Sequence, residues 1–286
     1  MFDFGILNRK EYFFMRWVWR LAGIVLAGLA AGCASPRGDS TAGLPKGLYA
    51  DPVRTGPDAV CLIDMTLPRD VAAAAAQANG EPRYLKRLRT RLAGASGLPC
   101  EAVHFTAVTS EINRNPRWKA IVIMGFGWVI PRPDLLRLRQ MVRTSKVPMI
   151  GFCGGGQIIA EAFGSKVGPI RKLRPGEPDP HPAYHPGFFK EWGFMPVRVL
   201  QTDPLFAGLG PVITVGEWHS RMMMSVPVGF DRLAETDECP IQAIKQRGRL
   251  VYAVQFHPEH YDRAHPDGKV ILQNFFRQVN KGKGAK

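Results

Sequence analysis

Val147-Pro148-Met149-Ile150-Gly151-Phe152-Cys153-Gly154-Gly155-Gly156-Gln157 is the stretch on which the reading of this 286-residue chain turns. VPMIGF is short, apolar and bounded by polar residues, as a buried strand is. It runs into glycines and then IIAEAFG, a helix. A residue caught between a buried strand and a helix sits on a sharp turn at the carboxyl edge of a sheet, and needs small neighbours two positions before and after it. Gly151 and Gly155 are those neighbours of Cys153. The helix that follows offers free backbone N–H groups and partial positive charge, which favour a thiolate and can hold an oxyanion. The same glycines also fit a mobile loop with Cys153 as a small core residue, so the stretch alone leaves both readings open.

Working outward, AVCLI at 59–63, VHFTAV at 103–108 and AIVIMGF at 120–126 read as further strands, the last uniformly apolar and so buried on both faces. Between them YLKRLRTRLAG, from Tyr84, and PDLLRLRQMVRTS, from Pro133, carry apolar residues at helical spacing, the second with Pro near its start. Strands alternating with helices imply an α/β fold, a mostly parallel sheet with helices on both faces. Residues 59–280 form one domain, with no repeat and no sign of a second. Residues 174–187, rich in Pro and His, read as a surface excursion, and 281–286 as a basic tail. With 45% hydrophobic residues the chain can fill a core, which excludes a disordered protein. A single apolar run long enough to interest a membrane excludes a multispanning one. Lys and Arg outnumber Asp and Glu by 38 to 24, a charge of +14 that no nucleic-acid motif accompanies. KRLRTR at 86–91 reads as a solvated helix face.

A cysteine nucleophile requires a base to take and return its proton, with a third group steadying the base through its other ring nitrogen. LVYAV at 250–254 is another apolar strand, and Gln255-Phe256-His257-Pro258-Glu259 follows it directly. The i, i+2 spacing of His257 and Glu259, with Pro258 stiffening the turn, lets both side chains project from one strand end toward one site. The pair of motifs, G-x-C-x-G-x-Q and then Q-F-H-P-E, resembles class I glutamine amidotransferase domains of the Triad type. The resemblance spans residues 59–279 and extends to IIAEAFGSKVG, to DPLFAGLG at 203–210, and to Trp218-His219-Ser220, where the family carries a Tyr-His-Ser-like substrate loop.

The resemblance implies that Cys153 attacks the side-chain amide of glutamine or a γ-glutamyl compound, that His257 shuttles the proton and that Glu259 orients His257. A γ-glutamyl thioester forms and is hydrolysed, with no cofactor and no metal. Backbone N–H groups at Gly125, Phe126, Gly127 and Gly154 match the family's oxyanion positions. Gln157 and the backbone around Ser220 and Arg221 match those that hold the substrate's amino-acid end. Two departures bear on the pocket. Phe126 and Trp128 stand where the family commonly has Gly or Pro, and Gly154 follows the nucleophile where a bulkier residue is frequent.

At the other end of the chain, LAGIVLAGLAA at 21–31 follows Arg16 and Arg20 and precedes Gly32-Cys33-Ala34. A helix of that length spans roughly 16 Å, about half the bilayer core, so residues 1–32 read as an export signal rather than a permanent span. Ala30-Ala31-Gly32-Cys33 resembles a bacterial lipoprotein signal, in which the Cys becomes the lipidated first residue; an ordinary signal peptide is the alternative. Translation from Met15 would leave MRWVWR as a conventional basic start. Residues 33–58, rich in Gly, Pro and Ser, read as a flexible tether of roughly 25–30 Å. Ala34 after the Cys resembles lipoproteins sorted to the periplasmic face of the outer membrane. In that oxidising compartment one pair among Cys61, Cys100 and Cys239 has room to form a disulfide.

Three functions follow. The first is an exported thiol amidohydrolase held at the membrane by its lipid. The second is a glutaminase subunit that passes ammonia to a separate acceptor enzyme. The third is a binding lipoprotein that keeps the fold without turnover. His257, His260 and His265 cluster, but a histidine committed as base is a poor metal ligand. His181 and His185 read as solvated.

Overall fold

Four of the apolar runs lie side by side at the centre of the protein, whose computed structural model describes residues 44–281. The chain lays down β1 (Ala59–Asp64), α1 (Pro68–Ala78), α2 (Arg83–Ser96), β2 (Cys100–His104), β3 (Trp118–Ile123), α3 (Arg132–Thr144), β4 (Met149–Phe152) and α4 (Gly154–Ala162). It then builds β5 (Val167–Pro169), β6 (Glu191–Val199), β7 (Val212–His219), β8 (Arg221–Met223), β9 (Phe230–Glu235) and β10 (Ala243–Gln246). It returns to the middle with β11 (Val251–Val254) and ends on α5 (Asp267–Lys281). Nine strands pair in the order β2-β1-β3-β4-β11-β10-β9-β6-β7, while β5 and β8 pair separately. From β2 to β11 every pairing is parallel. From β11 to β7 every pairing is antiparallel.

The α/β architecture follows from how the strands bury both faces. In β1, Val60 and Leu62 enter one core while Cys61 and Ile63 enter the other, the two-residue alternation of a strand. Leu85, Leu88 and Leu92 of α2 and Phe275 and Phe276 of α5 cover the first face. Leu138 and Met141 of α3 and Ile158 and Ile159 of α4 cover the second. Helix spacing of i, i+3 and i+4 is what puts these residues on one stripe.

Several expectations change here. The second strand lies earlier than VHFTAV, because His104 turns back: its ring accepts from Thr106 N and caps a 3₁₀ turn at Phe105–Ala107. The part of the expected tether that lies within the described residues is docked. Ala50 N donates to Ala102 O at 2.8 Å, Trp118 Nε1 to Pro52 O at 2.9 Å, and Tyr49 Oη to the Asp64 carboxylate at 2.7 Å. Cys61, Cys100 and Cys239 are all free thiols. Cys61 and Cys100 enter opposite cores, so the sheet itself separates them. The expected export signal, the expected lipidation site Cys33 and residues 282–286 lie outside the described residues. Among the described residues no helix is long and apolar enough to cross a membrane.

Candidate active site

Cys153 occupies the turn between β4 and α4 with φ 47° and ψ −114°, a conformation that favours glycine and costs a cysteine on the order of 1–3 kcal/mol. Packing on both sides holds it there. A Cβ at Gly151 would lie 2.5 Å from the Gly155 carbonyl carbon, and one at Gly155 2.9 Å from Met124 O. A Cβ at Gly156 would lie 2.5 Å from Val254 O. The helix therefore enters in close backbone contact with three strands, which no side chain would permit. Cys153 N donates to Val254 O at 2.9 Å, and Gln157 N closes the first helical turn on Cys153 O at 2.9 Å. The thiol is 6% exposed, at the carboxyl edge of the parallel strands.

β11 runs parallel to β4, so the residues just past its end arrive beside Cys153. His257 N donates to Gly216 O at 2.8 Å, which anchors this histidine to β7. Its Nδ1 lies 2.8 Å from Glu259 Oε1, and its ring also hydrogen-bonds Cys153. With Nδ1 committed to the carboxylate, Nε2 is the nitrogen left for the thiol. Burial disfavours a charged imidazole, but Glu259 and Cys153 outweigh it and raise the His257 pKa well above its usual value. Burial likewise opposes the Glu259 carboxylate, and His257 more than compensates, so its pKa is lowered. Nucleophile, base and orienting acid expected from sequence thus stand in one hydrogen-bonded line.

The expected substrate-binding residues surround that line. A Cβ at Gly125 would meet His257 Cε1 at 2.6 Å and Cys153 Cβ at 3.2 Å. Gln157 Nε2 donates to Arg221 O and to Gln255 Oε1, each at 3.1 Å. Ser220 is buried, and its carbonyl accepts from Ile170 N at 2.9 Å. The two departures from the family pattern explain one another: the Phe126 ring lies over Gly154, where a Cβ would come within 2.7 Å of Cδ1 and Cε1. The Phe126 carbonyl oxygen would lie 2.8 Å from the same Cβ, so both the ring and the backbone at 126 favour glycine at 154. Trp128 packs against Phe105 with centroids 5.2 Å apart and donates Nε1 to Met65 O at 2.8 Å, so it braces the turn from behind.

Other residues enter the site that the sequence left aside. Gln255 Nε2 lies 3.6 Å from Cys153 Sγ. The Pro- and His-rich excursion lies on the surface but is tied down, and His181 and His185 are only partly exposed: Lys190 Nζ, fully buried, donates to both Asp179 oxygens at 2.7 and 2.9 Å and to the carbonyls of His185 and Phe188. The excursion is pinned so that His185 Nδ1 lies 2.6 Å from Ser220 Oγ, with Tyr184 stacked on the His185 ring at 4.3 Å. His181 packs on Trp192 at 4.6 Å. The basic face of α2 contributes as well. Arg91 donates to Glu259 O and, at 3.0 Å, to Tyr261 O, with its guanidinium 4.0 Å over the Tyr261 ring.

Two groups among the described residues bring three ligand-type atoms together: His257, Glu259 and His260, and Glu191, His219 and Cys239. In the first, His257 Nδ1 is already spent on Glu259. In the second, His219 Nδ1 donates to Arg221 O at 3.0 Å, while Nε2 lies 2.9 Å from both Glu191 and Glu217. Thr236 and Gln242 donate to Glu191, so this buried cluster behind the site is knit by hydrogen bonds.

The profile of class-I glutamine amidotransferases matches residues 84–279. The chain belongs to that family. Among its relatives, the glutamine-hydrolysing GMP synthase subunit of Methanococcus vannielii is 28% identical over 200 residues, 69% of this chain and 92% of the relative. The same subunit of Archaeoglobus fulgidus is 36% identical over 135 residues, 47% of this amidotransferase and 63% of the relative. A crystal structure of a GMP synthase subunit from Thermoplasma acidophilum superposes with a TM-score of 0.58 at 22% identity, covering 81% of this chain and 98% of that one. That likeness shows the same α/β fold with a parallel sheet at its centre.

Proposed function

We propose that this amidotransferase is a thiol amidohydrolase that cleaves the side-chain amide of glutamine or a γ-glutamyl amide. The observation that carries the reading is the line from Cys153, on its strained turn, through His257 to Glu259 Oε1 at 2.8 Å. Cys153 Sγ attacks the γ-carbonyl carbon while His257 takes the thiol proton. Backbone N–H groups near Gly125 to Gly127 and at Gly154 receive the developing oxyanion. The C–N bond breaks as His257 hands its proton to the departing amine. Water, activated by the same imidazole, then hydrolyses the thioester to glutamate and restores the thiol. Glu259 keeps the ring oriented and compensates its charge.

LAGIVLAGLAAGC supports export and lipid attachment at Cys33, which would place the enzyme in the bacterial cell envelope, on the periplasmic face of the outer membrane. Hydrolysis suits that compartment better than transfer, since synthetases that consume ammonia generally need ATP. A second reading is favoured by the relatives, which are named as subunits: the chain would release ammonia to an acceptor enzyme.

The test uses the full-length chain purified in mild detergent and a diazo-ketone analogue of glutamine. The expected result is one adduct on the Cys153 peptide, prevented by glutamine, with glutamate and ammonia released from glutamine without a partner. Cys153→Ala is expected to abolish turnover with an unchanged melting transition. Turnover that survives Cys153→Ala overturns the mechanism. Activity only in the presence of a second protein selects the subunit reading. Cys33→Ser is expected to move the protein from the membrane fraction to the soluble one, and retention of that variant on membranes overturns the lipid anchor.

A further inference from the structure

If His257 returns its proton to the leaving amine, as proposed above, the side chains in contact with its ring are those placed to meet the leaving group. For ammonia no wall is needed. Here a shelf of aromatic rings adjoins the base. Trp218 meets His257 edge-on with centroids 5.7 Å apart, and Phe194 meets Trp218 edge-on at 5.9 Å. His265 stacks on Phe194 at 4.0 Å and 10°, and His260 closes the gap to Trp218 at 5.0 Å. The sheet register builds the shelf. Trp192 and Trp218 are cross-strand partners, as are Phe194 and Gly216, so Trp192, Phe194 and Trp218 stand on one face of the β6–β7 pair. Gly216 makes room for it: the six-membered ring of Trp218 lies in the space that a Cβ at 216 would occupy. All three aromatics are half-buried, leaving part of each ring open.

We infer that this shelf is a subsite for the amine half of the substrate, and that γ-glutamyl amides of amines bearing an aromatic ring are preferred over those of amines without one. This rests on the thioester reading above. Polar groups for the amino-acid half are supplied elsewhere around the nucleophile, where Gln157 meets Arg221 and where His185 meets Ser220. His260 adds a neutral ring to the shelf: burial pushes its pKa down to about 3. Stacked and edge-on ring contacts reward a flat aromatic group and give nothing to ammonia.

The test compares γ-glutamyl-benzylamide with γ-glutamyl-allylamide, whose leaving amines differ little in basicity, by glutamate release from the full-length chain. The expected kcat/KM favours the benzylamide by roughly tenfold. Trp218→Ala and Phe194→Ala are each expected to bring that ratio toward one. A ratio is used because Trp218 touches His257, and any loss common to both substrates cancels. Equal turnover of the two amides by wild type, or an unaltered ratio in both variants, overturns the subsite and leaves the thioester mechanism standing. No glutamate from either amide or from glutamine overturns both. Because the wild-type ratio already decides, a variant that fails to fold does not leave the inference undecided.

Discussion

Gly125→Ala isolates the geometry of the nucleophile and its base from the stability of the fold. The added methyl would sit 2.6 Å from His257 Cε1, and ordinary contact begins near 3.4 Å, so the ring must retreat by about 0.8 Å. It cannot swing freely, because its backbone N–H is held by Gly216 O and its Nδ1 by Glu259 at 2.8 Å. The 3.2 Å approach to Cys153 Cβ opposes a shift of the methyl the other way. A misplacement of that order costs roughly 10²-fold in rate, or about 2.7 kcal/mol of transition-state stabilisation. Stability suffers less. Gly125 is half-buried and has no left-handed backbone angle, so the overpacking cost falls near the low end of about 1–3 kcal/mol. For a domain of this size that is a fall of roughly 2–4 °C per kcal/mol in melting temperature. The assay is kcat for glutamate release at saturating glutamine, alongside a thermal melt. A kcat within threefold of wild type would falsify the claim that Gly125 sets the spacing of Cys153 and His257. A melting temperature lowered by more than about 15 °C would refute the separation of site from fold.

Arg91→Ala is expected to lower kcat roughly tenfold with KM within about twofold, because the two carbonyls it clamps belong to the segment carrying Glu259; Arg91→Lys, lacking the fork, should recover only part of the loss. An unchanged kcat in Arg91→Ala removes the clamp from the catalytic account. Gly94→Ala, in α2 with open space around its Cα, is expected to raise stability by about 0.5–1 kcal/mol, read as a higher urea midpoint. A lower midpoint would show the position to be strained. Stability is also expected to fall as pH rises from about 6 to 10. Glu191 and Glu217 outweigh the burial of His219 and raise its pKa to about 10, and burial raises Glu217 to about 7. Both groups bind protons more tightly folded than unfolded, so their contributions are complete below their unfolded values and are lost as pH climbs through about 7 and about 10. Thermal melts across that range check it, and a flat or rising midpoint refutes it.

What was legible in the sequence is what local residues dictate. β1, β3, β4 and β11 are buried on both faces and so carry unbroken apolar runs, and the elbow declares itself because backbone contact on both sides of Cys153 excludes any side chain at Gly151 and Gly155. The strands that pair antiparallel carry no such signal. β6, EWGFMPVRV, mixes half-exposed aromatics with Gly193, Pro196 and an arginine, because one side of it faces the site rather than a core. α1, Pro68–Ala78, hides for the opposite reason: its alanines give a helix without a distinct apolar stripe, and only Val71 and Ala75 are buried.

The site residues that sequence missed depend on partners far away along the chain, and this is the physical limit of reading motifs. His181 and His185 lie in a segment whose composition suggests solvent, yet the segment folds back because one buried lysine, Lys190, finds Asp179 and two carbonyls. Arg91 resembles its basic neighbours in KRLRTR until α2 meets the turn after β11, many residues later. The departures from the family pattern teach the same point in reverse. Phe126 alone would crowd the oxyanion turn, and Gly154 alone would loosen the helix start; together one ring fills the space that one missing side chain leaves. A substitution at either position is therefore read correctly only with the other in view: Gly154→Ala should lose activity, and making Phe126 small as well should restore only part of it, because the Phe126 carbonyl oxygen would still lie 2.8 Å from the added methyl. The double variant Gly154→Ala with Phe126→Ala is the measurement that divides the conflict: partial recovery over Gly154→Ala assigns the ring its share, and no recovery assigns the whole of it to the backbone at 126.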